Sequence, residues 1–117
     1  MEGKGAPPAA ASIVEYRLDA VQGVPLAFTD GAAAPDGGWW FSAVAERTGD
    51  SYLDGECVAS AVGRVDGAGR LVRLDLLDGA PKVEGLAVDG RRLLLVTDAD
   101  DPRQPSRLLQ APLPAAG

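Results

Sequence analysis

At 117 residues the chain has room for one small domain and one core, burying roughly two-thirds of the surface its unfolded form exposes. A formal charge of −6, from 17 acidic and 11 basic residues, provides no basic patch to neutralise a phosphate backbone; this argues against nucleic-acid binding and suits cations or cationic partners. The chain has no histidine and a single cysteine, Cys57, which excludes imidazole-based triads, zinc cages and an internal disulfide and leaves carboxylates, Lys, Arg, Tyr or a metal ion to carry any chemistry.

Residues 1–11, rich in Gly, Pro and Ala, and residues 113–117 read as tails flanking one domain over 12–112. The N-terminus lacks the apolar stretch of a signal peptide, and no apolar run approaches the roughly 18 residues a membrane helix needs, so a cytoplasmic protein without membrane association is expected. The segment "SIVEYRLDAVQG", 12–23, fits two states. Ser12 with Glu15 makes a helix capping box, whereas Val14, Tyr16 and Leu18 alternate as in a strand.

Beyond it, short apolar runs are separated by Asp-Gly pairs at 30–31, 36–37, 54–55, 66–67, 78–79 and 89–90, each a turn signal because Gly accepts positive φ and Asp bonds its own backbone. "WWFSAVA" (39–45) and "LLLVT" (93–97) are apolar on both faces, as for strands covered from two sides. "LVRLDLL" (71–77) alternates, with Val72, Leu74 and Leu76 on one face. Cys57, with no base nearby in sequence, reads as a small buried hydrophobe.

"TDGAAAPDGGWWFSAVAE" (29–46) aligns with "VEGLAVDGRRLLLVTDAD" (83–100), placing Asp30 opposite Glu84. A repeat of this length built only from strands points to an all-β fold of β-propeller blades. The first blade is expected at 31–35, 39–46, 57–65 and 70–77. The second takes 85–88, 92–98 and 106–111, with residues 13–18 supplying its missing outermost strand. Together these motifs, with the acidic loop "YLDGE", resemble the phytase-like six-bladed propellers, of which the chain looks like two blades. The resemblance implies a divalent cation, Ca²⁺, at the channel mouth and carries its ligands onto Asp30, Glu46, Glu84 and Asp98. Glu46 and Glu84 would then also move protons in a metal-dependent hydrolase of phosphoesters, esters or lactones.

The same carboxylates equally serve as caps of exposed amides at strand starts. Asp36, Asp66 and Asp89 are expected as turn residues at the opposite rim, and Asp100 and Asp101 as a solvated loop. Arg47, Tyr52 and Arg103 are candidate ligand contacts on the acidic rim or plain surface, and Trp39 and Trp40 are expected to pack within a blade. Because two blades leave sheet faces and edges uncovered, self-association is expected, with three copies completing a six-bladed ring. Two functions compete: a self-associating scaffold and the hydrolase.

Overall fold

A computed structural model describes residues 12–47, 56–98 and 103–113. These residues are all-β, with antiparallel pairing throughout. A small hairpin joins β1 (Ala20–Val21) to β2 (Val24–Pro25). Its turn residues Gln22 and Gly23 both have positive φ, 52° and 76°, the geometry that a two-residue hairpin turn requires. The first sheet runs β3 (Ala27–Ala33), β4 (Trp39–Arg47), β5 (Glu56–Val65) and β6 (Leu71–Leu76) in sequence order. The second runs β7 (Val83–Asp89), β8 (Arg92–Thr97) and β9 (Leu108–Pro112).

The Asp-Gly pairs at 36–37, 66–67, 78–79 and 89–90 lie at or beside turns, as expected. Asp30-Gly31 does not. It lies within β3, which begins four residues ahead of the expected 31, because Ala27 and Phe28 pair with Val44 and Ala43. The pair at 54–55 is outside the described residues.

The two sheets stack face to face along β3, β4 and β7. On the first sheet's facing side Trp40 and Val62 meet Val83, Leu86, Leu93 and Leu95 of the second, forming one core cluster. Burial of this apolar surface is the main force joining the sheets. The buried Arg64 stacks over Trp40 at 5.1 Å, donates to the Val65 carbonyl, and pairs with Asp36 in the β3–β4 turn. The Arg64 hydrogen bond is the largest influence holding the Asp36 carboxyl below its ordinary value.

The first sheet's outer side holds Phe41, Ala43, Ala45, Ala59, Ala61 and Val65, all buried. Phe41 lies over Gly63, where any Cβ would collide with its ring, so glycine is required in this strand by close approach. Between the sheets, the Ser60 hydroxyl has no hydrogen-bond partner.

Residues 12–19 form neither the expected outermost strand nor a helix. They cross the outer side of the first sheet, where Tyr16 and Leu18 find their partners. The Tyr16 hydroxyl donates to the Gly69 carbonyl at 2.7 Å, and its ring meets Phe28 and Trp39 edge-on. Leu18, Val21 and Val24 pack on the same cluster, and Leu26 N–H donates to the Asp19 carbonyl. This segment is a strap across the sheet.

The second sheet is therefore three-stranded among the described residues. In β8, Leu93 and Leu95 are buried while Val96 is 47% exposed and Leu108 of β9 is 58% exposed. The expectation that 93–97 is covered on both faces fails on this outer side. Pro112 pairs opposite Arg92 at a position whose backbone points away from β8, so its missing N–H costs the ladder nothing, a placement typical of edge strands.

Candidate functional site at the strand-end rim

Four acidic residues are expected at one rim, and the structure separates them. Glu46 lies at the end of β4, Glu84 near the start of β7, and Asp98 just after β8. These three converge on a residue the sequence reading passed over, Lys82. Its ammonium lies 2.9 Å from Glu46 Oε2 and 3.9 Å from Glu84 Oε2, and its carbonyl accepts the Asp98 N–H at 3.0 Å. The Lys82 side chain is only 17% exposed, so the pair with Glu46 is shielded better than an ordinary surface bridge. The local hint was the spacing Lys82-x-Glu84, which puts both side chains on one side of an extended chain; Glu46 arrives only through tertiary contact.

Asp30 does different work. It pairs in the ladder with Ser42, well short of Glu46, and its two oxygens each accept a backbone amide at 2.8 Å: Oδ1 from Gly31 and Oδ2 from Leu86. One carboxylate thus ties the first strand of one sheet to the first strand of the other. The strand-cap reading therefore describes Asp30 better than the ligand reading. With charge-assisted bonds each contributing about 1.5 to 3 kcal/mol when shielded and less in water, Asp30→Ala is expected to cost about 1 to 2 kcal/mol. Urea unfolding checks this value, and Asp30→Asn, which keeps one acceptor, should recover part of it.

The internal repeat keeps the register read in sequence along β4 and β8, where Trp39 corresponds to Leu93, and shifts by one residue along β3 and β7. β-Bulges fall between Phe28 and Asp30 in β3 and between Val83 and Gly85 in β7. Thr29 and Glu84 are the two bulged residues and hence structural counterparts. Asp30 corresponds to Gly85, which has no side chain to repeat its bond. Thr29 shares a part-buried hydrogen bond with Ser42 at 2.7 Å, whereas Glu84 reaches toward Lys82 at the rim.

Cys57 pairs with Glu46 and is partly buried rather than fully so. Burial pushes its thiol pKa up, with Glu46 and Glu84 adding to the rise, so at neutral pH it is a thiol and not a nucleophilic thiolate. Arg47 reaches back to Gln22 in the β1–β2 turn at 3.1 Å and to Glu56 at 3.5 Å, fastening the hairpin to the sheet. Arg103 is exposed in the β8–β9 connection, and Tyr52, Asp100 and Asp101 lie outside the described residues. Asp36 lies in a turn and Asp66 and Asp89 flank turns at the other rim. Among the described residues, no group of three or more Asp, Glu, Cys or His side chains is arranged to hold a metal ion.

Comparison with known proteins bears on this arrangement at the level of family. A model of a family of unknown function, DUF6910, matches residues 1–102. The chain belongs to that family. No curated protein and no solved structure matches it. As a DUF6910 protein it therefore carries a rim whose central cation is its own lysine, held at the seam of two sheets by Glu46 and Glu84. Among the described residues no helix is long and apolar enough to cross a membrane.

Proposed function

We propose that the chain is a non-catalytic scaffold, a pair of propeller-type blades that associates with copies of itself through the outer side of its second sheet. The observation carrying this reading is the contrast between the two outer sides. The strap and the β1–β2 hairpin bury most of the first sheet's, though Phe28 and Leu76 stay 44% and 57% exposed there, whereas that of the second leaves Val96 and Leu108 in water. Exposed apolar side chains on the face of a three-stranded sheet are the kind of surface that a partner covers.

The propeller reading draws support from how the sheets meet. Their contact runs along the first strands β3 and β7 and reaches β4, as it does between blades that converge on an axis and splay outward. A cation at the rim, as in a phytase-like hydrolase, would have to displace the Lys82 ammonium from Glu46. Self-association needs no such exchange. The strap crosses the centre of the first sheet's outer side, so association is expected to pair the second sheet's outer side with its own copy about a two-fold axis. Closing a trimeric ring of six sheets needs the first sheet's outer side as well.

The test is the mass in solution over a range of concentrations, for the unaltered chain and for Val96→Asp. The small face implies a weak dimer, with Kd on the order of 100 μM, given that standard stable interfaces bury about 800 Å² per partner. Val96→Asp is expected to abolish it.

A further inference from the structure

We infer that residues 12–19 are a displaceable plug that occupies the docking site for a second copy's second sheet, and so gate head-to-tail assembly of the chain. This rests on the self-association reading above and specifies its regulation. The seam inside the chain supplies the template. There Trp40 packs among Val83, Leu86, Leu93 and Leu95 of the second sheet. The hairpin and bulge registers make Phe28 the counterpart of Val83, Trp39 of Leu93 and Phe41 of Leu95. Those three aromatics lie on the first sheet's outer side, and the strap places Tyr16 against Phe28 and Trp39. Tyr16 thus takes on that side the position that Trp40 takes in the seam.

By the same registers, Leu94 and Val96 of the second sheet are the counterparts of Trp40 and Ser42. With the strap away, Leu94 and Val96 of one copy would face Trp39 and Phe41 of the next, beside the β1–β2 hairpin that stays packed on the first sheet. This contact is heterologous, joining two different surfaces, and it propagates or closes into a ring. The strap is suited to release. Residues 12–19 make no strand pairing; Tyr16 is held by one bond to a carbonyl and two ring contacts, Leu18 by packing and Asp19 by one backbone bond, and Ile13 and Val14 stand exposed.

Three full-length proteins test the proposal by light scattering: the unaltered chain, Tyr16→Ser with Leu18→Ser, and that double variant with Val96→Asp added. If the strap competes with a docking copy, weakening it raises the competent fraction and tightens association by the same factor, here about tenfold or more. The double variant is expected to form species larger than dimers, and Val96→Asp to return it to monomer. Tyr16→Phe keeps the ring and loses only the Gly69 bond, so it folds even if the double variant does not, and it should show a smaller shift in the same direction. A dimerising unaltered chain whose mass is unchanged in both strap variants overturns the gate and leaves the scaffold reading standing. A monomeric unaltered chain whose strap variants assemble supports the gate and overturns constitutive association. Large species that persist with Val96→Asp refute the proposed docking surface.

Discussion

Phe41→Ala is expected to cost about 3 to 5 kcal/mol, the range for deleting a fully buried aromatic ring. Phe41 has no exposed surface and contacts Phe28 and Trp39 at centroid separations of 4.9 and 5.6 Å, while its ring fills the space above Gly63. Alanine would leave a void that the flat neighbours Ala43 and Ala61 cannot fill by rotating, so the site collapses poorly. Domains of this size hold only about 5 to 15 kcal/mol in total, so a large unfolded fraction should be present at 37 °C. Denaturant unfolding followed by tryptophan fluorescence measures it, since Trp39 sits in the same cluster. A loss below about 1 kcal/mol would mean that the ring is not the keystone of the first sheet's outer side.

Lys82→Met is the second large effect. Removing the ammonium leaves Glu46 and Glu84 facing one another at a seam where Glu46 is only 28% exposed. Breaking a fully buried ion pair costs about 3 to 5 kcal/mol, and partial exposure reduces this to about 1 to 3 kcal/mol here. The decisive comparison is the double variant Lys82→Met with Glu46→Gln. Without the like-charge contact it should recover more than half of the loss, because methionine covers the same apolar surface as the lysine stem. If the double variant is as unstable as the sum of its parts, Lys82 contributes by packing and not by charge.

Strands β3 to β9 were legible because two independent signals agreed, Asp-Gly turns and apolar runs between them. The resulting elements differ from expectation by a few residues, most at β3, where a turn signal lay inside a strand. The acidic rim was legible as a cluster of charges but not as a bonded arrangement. A single-residue bulge has no sequence mark here, and the bulges at Thr29 and Glu84 decide that Asp30 matches Gly85 and spans two sheets. Lys82 was invisible for a different reason: its partner Glu46 is distant in sequence, and a lone lysine before a strand looks like surface. The strap was misread since Val14, Tyr16 and Leu18 alternate as a strand does, yet the contacts that place them come from Phe28, Trp39 and Gly69. Alternation reports which side chains share a face and not which element they lie upon.

Mass in solution bears most directly on the scaffold reading. Across a series from about 10 μM to 1 mM, chosen to bracket the weak association a small face supports, light scattering should show the apparent mass climb from 12.0 kDa toward twice that value. Val96→Asp should hold it at 12.0 kDa throughout. An unaltered chain that stays at 12.0 kDa over the whole range would contradict association through the second sheet.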